Sequence, residues 1–382
     1  MLKPMYITIH ALQTVPPSNM NRDDTGSPKT ALFGGVKRAR VSSQAWKKAT
    51  RDEFVKTLDV SDVGQRTKYV VEMIADYIQE IDSSISSDKA IDLSGKALGA
   101  TGVKVGKDNV TGYLLFVSTL QAMRLAELAL DYERQGADID KKKAKSILNV
   151  KESPKLNSVD IALFGRMVAD DPSLNVDAAV QVSHALGISR AETEYDYFTA
   201  MDDRSPADNA GAAMIETTEF LSSTFYRYAV VDVYHLCENL GSFEMAQRAI
   251  DAFIRSFLTA MPTGKQNSFA NRTLPGAILV QLRDTLPVTM ADAFERPVHQ
   301  SSEKSNMKIA CERLIDKEAR INKSFCVEPL ASFVIPVDED AEILGNISNS
   351  VTCNLEELLE GVKQKVGSYL ADSDLPSGIE EQ

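Results

Sequence analysis

One segment near the N-terminus carries much of the structural information in this chain: Phe33-Gly34-Gly35-Val36-Lys37-Arg38-Ala39-Arg40-Val41-Ser42-Ser43-Gln44. The paired glycines predict a tight turn, because glycine adopts backbone conformations that other residues avoid. A short basic extended segment follows the turn. Ser42-Ser43 is then typical of the N-cap of a helix that begins near Gln44. The segment therefore predicts an extended strand that leads directly into a basic helix.

The flanking sequence predicts strands on both sides of a helical block. Met5 to Leu12 partly alternates apolar and polar residues, which favours a strand. Between about 60 and 155, apolar residues at three- and four-residue spacing predict helices, most clearly in Arg66–Glu80 and Gly112–Arg134. Further along the chain we predict strands at 159–164, 224–233 and 277–282, helices at 242–260, 302–320 and 355–370, and a long loop at 187–223. Ala178–Leu186 fits either a strand or a helix.

The composition is that of an ordinary globular protein. The chain has 382 residues, of which 43% are apolar and 25% charged, and its four cysteines form no CxxC pair. The longest uncharged apolar-rich stretch, Val110–Met123, is shorter than the roughly 18 residues that a membrane helix needs. These features argue against a disulfide-stapled secreted domain, a zinc ribbon and a membrane protein. They predict a cytoplasmic chain that holds no metal or cofactor.

Charge is distributed unevenly along the chain. The net charge is −12, but Thr25 to Arg51 contains seven basic residues and no acidic one, so this window carries +7 and the remainder −19. Because phosphate contacts are local, one basic face on an acidic body suits a protein that holds a single polyanion. On the predicted helix, four side chains share a face about 100° wide: Gln44, Lys47, Lys48 and Arg51. This face is either a phosphate cradle or a solvated helix surface.

A second basic run, Lys141-Lys142-Lys143-Ala144-Lys145, has the same two interpretations. Catalytic motifs are missing from the sequence: it has no HExxH and no GxSxG pattern. Gly264-Lys265-Gln266-Asn267 lacks the spacing of a phosphate-binding loop. The sequence by itself therefore favours binding over catalysis.

Four motifs, in order, resemble the backbone subunit of the type I-E CRISPR interference complex (Cascade), the CasC family. The resemblance spans about residues 5 to 300, and the region after 300 adds little to it. The motifs are Asn21-Arg22-Asp23-Asp24 with Phe33-Gly34-Gly35 and Arg40-Val41-Ser42-Ser43-Gln44; Asp160-Ile161-Ala162-Leu163-Phe164-Gly165-Arg166-Met167; Asp196-Tyr197-Phe198-Thr199-Ala200-Met201-Asp202-Asp203; and Thr218-Glu219-Phe220 with Phe225-Tyr226-Arg227-Tyr228-Ala229.

The resemblance implies an α+β fold with an RRM-like (ferredoxin-like) palm, a helical finger insertion and a protruding thumb loop. The first part of the palm would comprise residues 1–60, with the basic loop and helix, and the finger residues 61–155. The second part of the palm would be 156–186 and the thumb 187–223. The third part of the palm, with C-terminal helices, would be 224–382.

The function that the resemblance implies is binding without catalysis. About six copies would polymerise head to tail along a CRISPR RNA, as heterologous interfaces allow. They would assemble with other Cascade subunits and present the spacer for pairing with target DNA in antiviral defence. No cofactor and no membrane would be involved.

The same resemblance assigns roles to residues of this chain. The RNA-binding residues would be Asn21, Arg22, Lys29, Ser43, Gln44, Lys47, Lys48, Arg51, Arg166, Met167, Lys265, Gln266 and Asn267. The thumb wedge, which would displace one nucleotide at regular intervals, would be Phe198, Thr199 and Met201. The residues facing DNA would be Lys141, Lys142, Lys143 and Lys145. The sequence has no RNP1-like aromatic pair, so we expect RNA along the basic loop and helix and not on the sheet.

Two alternatives remain open at this point. Related backbone subunits of type III CRISPR complexes cleave target RNA with an aspartate in the loop after the first strand, where this chain has Asp23 and Asp24. The chain would then be a metal-dependent endoribonuclease. A purely structural assembly protein that holds no RNA is the third hypothesis.

Overall fold

The computed structural model describes residues 4–200 and 214–371 and has an α+β architecture. The strands are β1 (Tyr6–Ser18), β2 (Thr30–Phe33), β3 (Val36–Val41), β4 (Gly64–Thr67), β5 (Leu115–Ser118), β6 (Val180–Val182), β7 (Ala185–Gly187), β8 (Glu194–Ala200), β9 (Met214–Asp232), β10 (Ala277–Arg283), β11 (Ala331–Pro336) and β12 (Ser350–Thr352). The helices are α1 (Ser43–Phe54), α2 (Val70–Ile81), α3 (Ser87–Ala100), α4 (Thr119–Gln135), α5 (Lys141–Leu148), α6 (Val159–Phe164), α7 (Val233–Leu240), α8 (Phe243–Thr259), α9 (Gln266–Phe269), α10 (Asn306–Phe325) and α11 (Leu355–Ala371).

A large sheet with β1 near its centre organises the palm. Its strand order is β12-β11-β10-β1-β9-β7-β3-β2, and β6 and β8 also pair with β9. β1 is antiparallel to both neighbours, so that Ile9 lies opposite Ala229 on one side and Val280 on the other. Ile7 and Ile9 pack in a cluster with α7, α8 and α11, whereas Leu12 packs in a second cluster with α10. Helices therefore cover both faces of the sheet.

The residues between β4 and α5 build a second, separate core. Helices α2 to α5 pack together, and α2 contributes Val70, Ile74 and Ile78 at four-residue spacing. This spacing places the three side chains on one face of the helix. The sequence missed the small β4–β5 sheet, which occupies the start of both predicted helices.

Two predictions about the palm were wrong in secondary structure. Residues 159–164 form the helix α6 and not a strand, because a short segment buried on all sides has no period that distinguishes the two. The described part of 187–223 is no loop either. It contains β8, which pairs with the first residues of β9 in an antiparallel ribbon. Glu194-Tyr195-Asp196-Tyr197 alternates acidic and aromatic residues, a period-2 strand signal that the loop prediction overlooked, and all four residues are exposed.

The predicted helices at 242–260, 302–320 and 355–370 are confirmed as α8, α10 and α11. The predicted cap is also confirmed: Ser42 precedes α1, and its hydroxyl accepts a hydrogen bond from the Ala45 N–H at 3.3 Å. Within residues 4–200 and 214–371, none of the helices has the length and apolar content to span a bilayer.

Candidate nucleic-acid interface

The predicted basic face of α1 lines a cleft of about 860 Å³ between the palm and the β4–β5 sheet. Trp46, Ala49 and Phe54 anchor the opposite side of α1 in the core, which fixes the direction in which the basic side chains point. Five basic and two acidic side chains line the cleft, so its charge is positive although the protein is acidic. These charged residues are Lys47, Lys48, Arg51, Arg66, Arg166, Asp52 and Asp177.

Arg51 is held in place by a buried carboxylate. Its Nε donates to Asp160 Oδ2 at 2.9 Å, and its guanidinium lies 4.6 Å from the centroid of the Phe116 ring. The fully buried Asp160 also accepts from the Gly64 N–H at 2.8 Å and from the Ser158 hydroxyl at 2.7 Å. Burial raises the pKa of Asp160, and these hydrogen bonds with the Arg51 charge oppose that rise. Asp160 therefore ties α1 to the start of the finger and offsets the Arg51 charge.

The two lysines of the α1 face differ in their partners. Lys48 Nζ lies 2.5 Å from Asp52 Oδ2 one turn further along the helix, in an exposed pair that contributes little to stability. Lys47 Nζ lies 5.9 Å from the centroid of the Phe164 ring, and burial lowers the pKa of Lys47. No described carboxylate pairs with Lys47. Of the predicted α1 cations, Lys47 is therefore the one whose charge is free for a phosphate, among the residues that the structure describes.

Gly165, Arg166 and Met167 follow α6 at the edge of this cleft. Gly165 has φ +80°, and a Cβ there would lie 2.8 Å from the Val176 carbonyl oxygen. Met167 is 81% exposed at the lip of the cleft.

The resemblance implies that Arg166 contacts RNA, but the position of Arg166 in the structure disagrees with that expectation. Its side chain is buried, and burial lowers its pKa to about 10. The guanidinium donates to the main-chain carbonyls of Phe116, Leu174 and Leu148 and to Gln121 Oε1. Because these partners take up its donors, Arg166 holds the wall of the cleft together and does not face a ligand.

The loop after β1 lies against the start of α1. Asn21 Oδ1 accepts from the Ser42 N–H at 2.9 Å, and the Asn21 carbonyl accepts from the Lys29 N–H at 2.9 Å. Arg22 and Lys29 take part in none of the ion pairs between described residues. Asn21 is therefore a scaffold for this loop, while Arg22 and Lys29 offer charge.

Asp23 has a local structural role in the same loop. Its Oδ1 accepts from the Thr25 N–H and hydroxyl and from the Ser27 N–H, and these hydrogen bonds lower its pKa. This is the hydrogen bonding of a turn-forming aspartate. Across residues 4–200 and 214–371, His, Cys, Asp and Glu side chains form no group of three that could hold a metal ion.

Lys265, Gln266 and Asn267 directly follow a glycine that packs against the loop after β1. The preceding Gly264 packs so closely that a Cβ there would lie 2.3 Å from the Met20 carbonyl oxygen. The sequence offered no direct sign of this contact, since 244 positions separate the two residues.

Arg38 belongs to the basic window but is fully buried. Its guanidinium donates to five carbonyl oxygens from three segments of the chain: Phe33, Gly187, Ile188, Phe294 and Glu295. It therefore fixes the β2–β3 hairpin to the strand that leads into the β8–β9 ribbon, and its charge is not available at the surface.

Two of the predicted wedge residues, Phe198 and Thr199, lie on the β8–β9 ribbon. Phe198 pairs with Glu216 and is 38% exposed, whereas Thr199 is the next residue along β8. Successive strand residues point to opposite faces, so Phe198 and Thr199 do not share one face. Tyr195 and Tyr197, which are 67% and 65% exposed, lie on the face of Thr199. Met201, the third predicted wedge residue, lies outside the described residues.

The lysine run forms the first turns of α5 on the finger. Lys141, Lys142 and Lys143 are exposed, while the Asp140 side chain caps the helix. Lys145 Nζ instead lies 2.7 Å from Asp171 Oδ2, and this contact lowers the pKa of Asp171 to about 2. The four lysines therefore divide into three that present free charge and one that is paired.

Sequence reasoning missed two residues of the cleft, Arg66 and Phe116. Both lie on the β4–β5 sheet, where they occupy directly opposed positions. The predicted helices hid this sheet, and Gln65-Arg66-Thr67-Lys68 is polar throughout, so it has no alternating pattern that predicts a strand.

A family model described as "CT1975-like protein" matches residues 7–361, which is most of the chain. The chain belongs to the CT1975-like family. This CT1975-like protein is also similar to chains of two solved assemblies. One is a "CRISPR RNA-guided surveillance complex, pre-nicking", with a TM-score of 0.82 and 29% identity over 94% of this chain and 100% of that chain.

The other is a "CRISPR RNA-guided surveillance complex", with a TM-score of 0.71 and 26% identity over 94% of this chain and 99% of that chain. The comparison with curated proteins gave no match. The comparisons support the coarser part of the resemblance, to a CRISPR-associated backbone-type protein, and the expected α+β, RRM-like architecture is confirmed.

Proposed function

We propose that this CT1975-like protein is a non-catalytic, CRISPR RNA-binding backbone subunit of a type I-E Cascade surveillance complex. The cleft beside α1 supports this proposal most directly, because it gathers positive charge on a protein of net charge −12. Similarity to chains of RNA-guided surveillance complexes along 94% of the sequence supports the same role.

In this proposal the RNA backbone follows a path across the palm. Lys47 in the cleft neutralises phosphates together with Arg22, Lys29 and Lys265 near the loop after β1. Such contacts supply affinity without reading sequence, which suits a protein that must accept any spacer. The bases then remain free to pair with target DNA.

The proposal assigns two further surfaces. The β8–β9 ribbon crosses the RNA and reaches toward the neighbouring copy in a head-to-tail filament of about six copies. The exposed lysines of α5 attract the target duplex by long-range electrostatics. The other Cascade subunits complete the particle.

Co-expression with a CRISPR repeat-spacer transcript tests this function. We expect a large particle that contains several copies of the chain and one protected RNA. A monomer free of RNA would contradict the proposal, and a particle without RNA would favour the purely structural hypothesis. Incubation of the particle with complementary RNA and magnesium tests the ribonuclease alternative, in which Asp23→Ala or Asp24→Ala would abolish regularly spaced cleavage.

A further inference from the structure

His184 lies in the turn between β6 and β7, at the edge of the basic surface. Arg40 Nη1 is 3.2 Å from His184 Nδ1, and the Ser43 N–H points at the same nitrogen at 3.4 Å. The Arg40 guanidinium and the Ser43 N–H can only donate, so Nδ1 is the acceptor. The ring proton of the neutral imidazole therefore resides on Nε2. The ring is exposed, as are parts of Arg40 and Ser43.

Positive charge is concentrated around this imidazole without a compensating acid. Arg40 on β3 contacts the ring, and Lys29, whose carbonyl accepts from the Arg40 N–H at 2.9 Å, brings a second positive charge to the same place. Neither cation takes part in an ion pair with a described carboxylate. Asp23 in the same loop directs its carboxylate into its own turn. Like charges held this close are unfavourable, and an anion bound among them would relieve the repulsion.

We propose that His184, Arg40 and Lys29 form a phosphodiester subsite in which His184 gains a proton when a phosphate binds. The proposed RNA-binding function supplies the ligand. On binding, the phosphate oxygens replace Nδ1 as the acceptor of Arg40 and of the Ser43 N–H and also accept from Lys29, and the freed Nδ1 takes a proton from solvent. The resulting imidazolium then donates to the phosphate. No bond other than this N–H is made or broken.

The proposal implies that affinity rises as the pH falls. Partial burial, with the charges of Arg40 and Lys29, lowers the pKa of His184 in the free chain, whereas a bound phosphate would raise it. Between the two pKa values the complex binds one more proton than the free chain. The association constant should therefore increase by up to roughly tenfold for each unit of pH decrease inside that window.

Binding of poly-uridine RNA to the full chain, measured between about pH 5.5 and 8 at fixed salt, tests this subsite because imidazole titrates in that range. The wild type and His299→Gln, a control at another exposed histidine, should bind more tightly at low pH. His184→Gln retains an acceptor for the Ser43 N–H and should bind with little pH dependence. Calorimetry in two buffers of different ionisation enthalpy should show proton uptake that His184→Gln loses.

A second measurement separates this subsite from the proposed function. The imidazole C–H resonance of His184, titrated with and without inorganic phosphate, should report a higher pKa of His184 when phosphate is present. In the absence of phosphate, Arg40→Ala should also raise the pKa of His184. If RNA fails to bind but phosphate shifts the resonance, the subsite stands and the function fails. If RNA binds and His184→Gln keeps the wild-type pH dependence, the subsite is wrong.

Discussion

The Arg51 guanidinium and the buried Asp160 carboxylate form an ion pair, with Nε 2.9 Å from Oδ2, that joins the basic helix α1 to α6. The sequence places Arg51 with Lys47 and Lys48 as equal members of one basic face. The structure distinguishes them, because the charge of Arg51 is already compensated inside the protein. A lysine on the same face, Lys47, has no such partner among the described residues.

This difference predicts unequal salt effects on RNA binding. Lys47→Ala should flatten the dependence of log K on log salt concentration by roughly 0.7, the value for one phosphate contact on a single strand. Arg51→Ala should change the slope less, because the Arg51 guanidinium already donates to Asp160 and is not free for a phosphate. The measurement is binding of single-stranded RNA from low to moderate salt, for several spacer sequences. Equal slopes for the two variants would contradict this assignment.

Asp160 should matter more for stability than its single charge suggests. Asp160→Ala removes the acceptor of Arg51, Gly64 and Ser158 and should lower the free energy of unfolding by about 3–5 kcal/mol, as for a broken buried ion pair. Urea unfolding of the full chain measures this loss. Asp52→Ala is the matched control, because it removes an exposed partner of Lys48 and should cost under about 1 kcal/mol. Similar losses in both variants would contradict the role of Asp160.

The two adjacent glycines at the β2–β3 turn allow a stability prediction in which one substitution is the control for the other. Both have positive φ, +59° for Gly34 and +78° for Gly35, so alanine at either site strains the backbone. A Cβ at Gly34 would also lie 1.7 Å from the Glu295 carbonyl oxygen, whereas a Cβ at Gly35 meets nothing within 4 Å. Gly34→Ala should therefore reduce the melting temperature clearly more than Gly35→Ala. Equal reductions would show that the hairpin does not dock on Glu295.

The sequence predicted the elements that have a clear signal in a short window. Ser42 was identified as the cap of α1, and the 3.6-residue spacing identified α2, α8 and α11. The sequence did not predict the role of a residue whose decisive contacts are with residues far away along the chain. The burial of Arg38 depends on carbonyls at 187–188 and 294–295, and the engagement of Arg166 depends on Phe116 and Leu148. Basic residue type alone therefore could not separate structural arginines from those that face a ligand.

The lysine run on α5 should act in duplex capture. Lys141→Glu with Lys142→Glu should leave particle yield unchanged and slow association with target DNA, most strongly at low salt. Lys145→Glu is the contrasting variant, since it breaks the pair with Asp171 and places two acids together. It should lower the stability of the chain as well. Stopped-flow association and thermal melting measure the two effects, and loss of assembly in the double variant would place α5 at a subunit interface.

Phe198 provides the sharpest test of the ribbon, because the two faces of β8 carry different aromatic residues. A wedge between stacked nucleotides costs a few kcal/mol of unstacking, which apolar burial against the bases offsets. Phe198 has Glu194 and Asp196 on its own face, and these acids would keep the RNA backbone away from the ring. Phe198→Ala should therefore leave the melting temperature of the isolated chain nearly unchanged while the assembled RNA loses its regular pattern of chemical reactivity.

Tyr197→Ala, on the opposite face of the same strand, is the matched control for this experiment. It removes an aromatic ring from the same strand, although Tyr197 is more exposed (65%) than Phe198 (38%), so it should preserve the reactivity pattern if Phe198 alone forms the wedge. Loss of the pattern in Tyr197→Ala and not in Phe198→Ala would move the wedge to the tyrosine face. If Phe198 were instead part of the core, its truncation would cost about 3–5 kcal/mol of folding free energy. A large fall in melting temperature with an unchanged reactivity pattern would therefore exclude the wedge.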